Sequence, residues 1–345
     1  MSLLRQSVTN LQAKSSRGIA PGLYRMLTAL LHAIRACVAE DKRTFTNHVR
    51  PLLNQLDVCL YYRLHGYSPS TRTSSESEVT EYGFSDAPGP ASHFTRWDSL
   101  TVQTLRTLQC IVRHCPRAWH VEWDHYLPET TVDAQPNLFS LLRAVQHPDV
   151  QRQVLLTLTT LLEHAPALLS LADDRVTVTS FTPLSVRVAQ MVNELHRRLT
   201  QLLVPHGAQL HHPVPVLGCL RALASWTPYG KLQQPLLTNL GNTLGLELGL
   251  SGEPPNVTAE CLAVVATLLS REDIRETVWE LWVTNGEFCI GEKCSSLLSF
   301  CQSLVFQPPT PDVEQLRVGA FQVLIRAAWI YPSRVLDQLP ELLSH

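Results

Sequence analysis

Apolar positions recur along most of the chain at the three-and-four spacing that lays one stripe along a helix. Leu23, Leu27, Leu30, Leu31, Ile34 and Val38 form one such stripe, opened by Pro21-Gly22. A second helix is predicted over about 44–64, carrying Val49, Leu52, Leu53, Leu56 and Leu60, with Pro51 imposing a kink or a late start. A third follows Thr182-Pro183 and carries Leu184, Val188, Met191, Val192, Leu195, Leu199, Leu202 and Leu203. Alternation with period two occurs only at Arg175 to Thr179, and briefly. Residues 66–94 break the pattern: Ser, Thr, Pro, Gly and acids leave no face to bury. That stretch reads as a disordered linker between a helical hairpin over 1–65 and the main body.

The main body repeats itself. Four prolines, Pro116, Pro166, Pro228 and Pro332, each follow a long apolar helix. Eleven residues before them stand Leu105, Leu155, Leu217 and Phe321; eight before, Leu108, Leu158, Leu220 and Leu324. Five and four before stand Ile111/Val112, Leu161/Leu162, Leu223/Ala224 and Ala327/Ala328. A fifth unit fits with Asp273 in the proline's place and Leu262, Val265, Leu268 and Leu269 at the same offsets. Each proline is expected to open a second, shorter helix, such as 117–126 or 333–343, where its missing N–H does no harm. The unit is a helix pair of about 40–47 residues with insertions, the period of HEAT and armadillo arrays. The predicted fold is therefore all-α, a right-handed α-solenoid of HEAT/armadillo-like hairpins, over 95–250 and again over 251–345.

Composition removes several classes of function. With 15 Gly among 345 residues, phosphate-cradling loops are scarce, and no apolar run approaches the roughly 18 residues needed to span a bilayer. Membrane insertion is not expected, and nothing at the N-terminus has the order of a signal peptide. Nine irregularly spaced Cys read as reduced thiols of a cytoplasmic or nuclear protein. Charge is uneven: residues 1–72 carry +7, 73–100 carry −4 and 101–345 carry −5. A basic front on a faintly acidic body does not suit a whole-surface nucleic-acid binder.

Candidate chemistry is thin. Cys289, Cys294 and Cys301, with Glu287 and Glu292, lack the C-x2-C knuckle of a metal site, so the thiols read as small packed hydrophobes. Trp119 to His125 mixes Trp, His, Glu and Asp, but no positioned nucleophile or glycine turn accompanies it, and Trp119 and Trp123 read as one packed stripe. His211-His212 sits in a loop. Gly241, Gly245 and Gly249 recur every four residues and suggest a loosely packed or broken helix. No catalytic, cofactor-binding or metal residue is assigned and no cofactor is expected. Ser68, Ser75 and Ser77 are candidate phosphorylation sites, where phosphate would draw the acidic linker onto the basic N-terminal helices; without it the segment is a solvated spacer.

Residues 180–232 carry more specific text. Ser180-Phe181-Thr182-Pro183-Leu184-Ser185, Val188-Ala189, Glu194-Leu195-His196-Arg197 and Leu220 to Trp226 running into Thr227-Pro228-Tyr229-Gly230-Lys231-Leu232 resemble a block of the HEAT repeat-containing protein 6 family. Trp97 to Pro128 and the His147-Pro148-Asp149-Val150 helix opening resemble the same region, a domain without an assigned function. Members of that family are much longer, so the chain reads as a short homologue or a fragment. The resemblance implies an α-solenoid and protein binding, and carries over no catalytic residue. Within the block, His196, Arg197 and Arg198 are expected to emerge at mid-helix and face a partner, and Gly230 is expected to be free for positive φ in a tight turn. Together these readings predict a non-enzymatic scaffold or adaptor for other proteins. A nucleic-acid-associated or transport-receptor-like role through the basic N-terminal helices is the alternative.

Overall fold

A computed structural model of the chain describes residues 2–13, 19–40, 48–65, 94–115, 126–128, 136–145, 147–164, 184–204, 212–249, 254–286, 288–290, 296–308, 310–333 and 335. The described elements are helical, with no strand among them. The run Arg175 to Thr179 lies outside the described residues, as do residues 117–125, 334 and 336–343 of the short helices expected over 117–126 and 333–343. The chain divides into two compact units: residues 1–128 with 132–171, and residues 129–131 with 172–345.

The first unit holds α1 (Ser2–Ala13), α2 (Pro21–Glu40), α3 (Val49–His65), α4 (Arg96–His114), α5 (Leu138–Ala144) and α6 (Pro148–His164). Helices α2, α4 and α6 pack side by side in succession, and α1, α3 and α5 pack in succession behind them. Helix α3 starts at Val49, so Pro51 occupies its first turn, where a missing N–H does no harm. Helix α4 starts where Thr95 and Asp98 close a capping box: Asp98 N–H donates to Thr95 Oγ1 at 3.1 Å, and Thr95 N–H to Asp98 Oδ2 at 2.9 Å. The α4 stripe Leu105, Leu108, Ile111 and Val112 is fully buried, as is its α6 counterpart Leu155, Leu161 and Leu162. Threonines interleave with these leucines. Thr104 and Thr107 of α4 and Thr157 of α6 return their hydroxyls to carbonyls four residues back at 2.8 Å, so burial leaves those donors bonded.

The helices on either side of residues 66–93, which lie outside the described residues, meet within one unit. Tyr24 Oη meets Ser99 Oγ at 2.7 Å, Arg35 donates to Gln103 Oε1 at 2.9 Å and to the Gln103 carbonyl at 3.1 Å, and Arg96 reaches the Ile19 carbonyl at 3.2 Å.

The second unit holds α7 (Leu184–Leu203), α8 (Pro213–Ala224), α9 (Gln234–Gly249), α10 (Pro255–Leu269), α11 (Arg275–Trp279), α12 (Leu297–Val305) and α13 (Pro311–Ile330). Pro228 opens a 3₁₀ turn over Thr227–Lys231, and α11 runs into a π-helical turn over Glu280–Thr284. Here α8, α10 and α13 pack in succession, while α7 packs on α9, α9 on the π turn, and the π turn on α12. Helix α13 opens on Thr310, which caps Val313, followed by Pro311 at the first helical position.

Helix α9 is continuous, and Gly241 and Gly245 are sites of close approach, not of looseness. A Cβ on Gly241 would lie 2.8 Å from Cδ1 of Trp282, and one on Gly245 would collide with the backbone carbonyl of Cys289. Trp282, fully buried, lays its indole over the α9 backbone and donates Nε1–H to the Leu237 carbonyl at 3.1 Å. Its ring meets Phe288 at 5.3 Å.

Candidate functional site

The block 180–232 builds a buried polar knot within the second unit. Helix α7 directs Leu195 and Leu199 into the core, and His196 goes in with them, fully buried. Its Nε2 lies 3.1 Å from the Leu236 carbonyl, which only accepts, so Nε2 carries the proton. The bare Nδ1 then accepts from Tyr229 Oη at 2.9 Å. Burial pushes the imidazole down to about 4, although the Leu236 bond opposes the shift. Burial likewise raises the Tyr229 phenol, against the nearby Arg271 charge. At neutral pH both groups are therefore uncharged and bonded to each other.

Arg271, in the turn after α10, closes the knot. Its guanidinium lies 5.8 Å from the Tyr229 ring centroid and donates to the carbonyls of Ala224 and Trp226 at the end of α8, the latter at 2.7 Å. The same guanidinium holds Asp273 in a two-point pair at 2.9 and 2.5 Å. That carboxylate occupies the space a Cβ on Gly230 would need. Positive φ is not the reason for this glycine, since Gly286 is the one described glycine with that backbone. Asp273, which stands where the other units have proline, is thus one half of a clamp on the α8 turn. The spacing pattern located the residue, but not its role.

The surface expected of His196-Arg197-Arg198 is not there. His196 faces the core and Arg198 is buried, its Nε on Glu194 Oε1 at 2.5 Å; only Arg197 is partly open, bonding the same carboxylate at 2.6 and 2.9 Å. Burial alone would raise the Glu194 carboxyl, but bonds from Arg197 and Arg198 and their charges outweigh it and hold the group below the usual carboxylate range. The stripe on α7 is wide enough to take His196 into the core, and one acid one turn earlier pairs with both arginines.

Of the remaining candidates, Cys289 is half-buried with its thiol 3.7 Å from the Gly286 carbonyl, and Cys301 is fully buried in α12, its thiol pushed up to about 12 by burial. Cys294, Glu287 and Glu292 lie outside the described residues, as do 116–125, His211, Ser68, Ser75 and Ser77. Among the described residues no group of three or more His, Cys, Asp or Glu could hold a metal ion, and no helix is long and apolar enough to cross a membrane.

The exposed faces differ in character. In the first unit Gln153 donates to Gln109 at 3.0 Å across α4 and α6, Gln109 and Arg113 both approach Thr160 at 3.5 Å, and Arg35 spans to Gln103, giving a polar seam over three helices. In the second unit α13 exposes Val318, Phe321, Ile325 and Trp329, the last at 84%. The residues with the most perturbed chemistry are thus inside, and the outer faces offer a polar seam in the first unit and exposed apolar side chains in the second.

No solved structure matches the chain. Residues 99–278 match the model of a domain of unknown function, DUF4042. That match runs from α4 to α11, takes in the whole polar knot and covers more than half of the chain, which therefore belongs to the DUF4042 family.

Proposed function

We propose that this protein is a non-enzymatic scaffold or adaptor, a right-handed HEAT/armadillo-like α-solenoid that binds other proteins through an extended helical surface. The observation that carries the reading is the shared packing of the repeat. In each unit long helices stack in succession with a second layer behind, and the residues eleven, eight, five and four before the anchor are buried in α4, α6, α8 and α10. Such stacking produces broad faces made of many helices, a form suited to holding partners and not to enclosing a small substrate. The His196–Tyr229 pair, which could move a proton, is sealed from solvent, which supports a structural role for it. The DUF4042 match and the text of residues 180–232 together favour kinship with HEAT repeat-containing protein 6. The eight described cysteines form no disulfide among the described residues, in keeping with a cytoplasmic or nuclear location.

The test is affinity capture from cell lysate with the purified chain, cross-linked and washed at low and at high salt. A stoichiometric protein that survives high salt, with cross-links on the row helices, is the expected result. Recovery of nucleic acid alone, lost at high salt and mapped to residues 1–65, would overturn the reading, because phosphate-driven affinity falls steeply with salt. Arg35 is already engaged on Gln103 within its own unit, which weighs against that outcome.

A further inference from the structure

The middle of the first unit's row carries positive charge with no described acid paired to it. Over 21–39, 99–114 and 150–162 the helices α2, α4 and α6 hold Arg25, Arg35, Arg106, Arg113 and Arg152 and no acid, in a chain whose net charge is −2. Asp98 is committed to the Thr95 cap, and Glu40, Asp149 and Glu163 stand at helix ends. In the second unit arginine meets carboxylate: Arg221 with Glu260 at 3.7 Å, Arg271 with Asp273, Arg197 and Arg198 with Glu194. Among the described residues neither Arg106 nor Arg113 makes an ion pair.

These charges fall on one line. Ser99, Gln103, Arg106, Cys110 and Arg113 follow one another at three-and-four spacing on α4, opposite its buried Leu105, Leu108 and Val112. Arg35 reaches over from α2 to the level of Gln103, donating to the Gln103 carbonyl at 3.1 Å, to Gln103 Oε1 at 2.9 Å and to His32 Nδ1 at 2.8 Å. Three bonds thus fix its charge in place. Burial and the Arg106 charge lower the Arg35 guanidinium, and the Arg35 and Arg113 charges both oppose the rise that burial imposes on the Cys110 thiol between them. Like charges therefore bear on one stretch of α4, from 103 to 113, about 15 Å long at the rise of an α-helix.

The polar groups beside the line match a peptide. Arg106 and Arg113 are exposed and present forked donors of the kind that fit a carboxylate. Gln103 keeps its Nε2 donors and Gln153 its Oε1 acceptor without a partner among the described residues. A peptide backbone offers the matching acceptor and donor, whereas a phosphate chain offers acceptors alone. Leu156 is exposed on α6 for apolar contact, and the α4 line holds no aromatic ring on which a base could stack. An extended chain covers the stretch with about five residues.

We infer that the outer line of α4, from Gln103 to Arg113, is a docking site for an extended acidic segment of a partner protein, its carboxylates paired with Arg106 and Arg113. This names a partner chemistry for the scaffold reading and rests on it. The acidic segment is the salt-sensitive contact of a larger interface.

The probe is a fluorescein-labelled peptide of alternating Glu and Ser, twelve residues long, titrated with the full chain at low salt. Its anisotropy is expected to saturate, and the same peptide with Gln for every Glu should not bind. The chain bearing Arg106→Glu and Arg113→Glu should bind about tenfold more weakly or worse, with an unchanged melting temperature because both residues are exposed. Arg317→Glu with Arg326→Glu, on α13, alters the net charge equally and should leave binding unchanged. No saturable binding, or equal losses in the two double variants, overturns the inference. So does tighter binding of a twelve-residue oligothymidylate that Arg106→Glu and Arg113→Glu abolish, since the line then reads phosphates. Peptide binding that emerges only with Glu76→Gln, Glu78→Gln, Glu81→Gln and Asp86→Asn assigns the line to the chain's own acidic segment and overturns it too. Any of these failures, alongside captured proteins cross-linked to the row helices, removes this site and leaves the scaffold reading standing.

Discussion

The two units follow one packing scheme with different junction chemistry. In the first, successive row helices are joined at their rims by amides and guanidinia: Arg35 on Gln103, Gln153 on Gln109, Arg113 near Thr160. In the second, the joins are made by close approach: Gly319 on Leu262, Trp282 over Gly241, the Cys289 backbone against Gly245. A half-exposed amide pair exchanges one set of hydrogen bonds for another with water and gains little, whereas a buried aromatic in a glycine notch gains the full transfer and packing terms. The leucine frame common to both sets where helices meet. The residues between the leucines set how strongly.

The difference is broken most severely at Trp282. Trp282→Ala removes a fully buried indole and its bond to the Leu237 carbonyl, and is expected to cost about 3–5 kcal/mol in urea unfolding. Gly245→Ala attacks the same contact from the other side. Its methyl meets backbone and not a yielding side chain, so a loss of about 2 kcal/mol is expected, with faster hydrogen exchange localised to α9 and residues 288–290. A neutral Gly245→Ala would mean that the notch is slack and the contrast between the units is overstated.

The helices and the buried frame were legible in the sequence, because leucine at three-and-four spacing reports a local period. Pro51 left a kink or a late start open, and α3 takes the late start at Val49; Pro148 opens α6, again by the local rule of proline's missing N–H. What escaped depends on residues far apart in the chain. Gly241 and Gly245 suggested looseness because the side chain and backbone that fill their notches lie about forty residues downstream. His196 suggested a surface because its partners, Tyr229 and Leu236, sit thirty-three and forty residues away. Gly230 suggested a turn requirement, while its neighbour in space is Asp273. Residues 66–94 read as a linker, and composition does not record that Arg35 and Gln103, on either side of it, meet.

The knot around His196 sharpens the contrast through pH. The folded imidazole titrates near 4, well under the roughly 6.5 of an unfolded histidine. Between these values the unfolded chain takes a proton that the folded chain refuses, so stability falls as pH drops from about 6.5 to about 4 and levels off below. The loss is on the order of 2–3 kcal/mol, and it belongs to the second unit. Urea midpoints at pH 7 and pH 4.5 measure it. His196→Gln keeps a donor for Leu236 and an acceptor for Tyr229 but cannot titrate, and should lack this component. An equal pH slope in His196→Gln would assign the effect to other groups.

The smallest expected effect lies in the first unit and bears most directly on the comparison. Gln109 and Gln153 are half-buried, and water can replace either partner once the other is cut back. Gln109→Ala and Gln153→Ala should each cost less than about 1 kcal/mol. A double-mutant cycle between them should return a coupling of about 0.5 kcal/mol, the net value of one exposed amide bond. These amides would then fix the register of α4 against α6 while the Leu155 and Leu108 layer beneath them supplies the stability. A coupling above about 2 kcal/mol would show the seam to be desolvated and cooperative. The first unit would then be held by polar junctions as firmly as the second is by its notches, and the contrast would lie in chemistry alone, with no difference in strength.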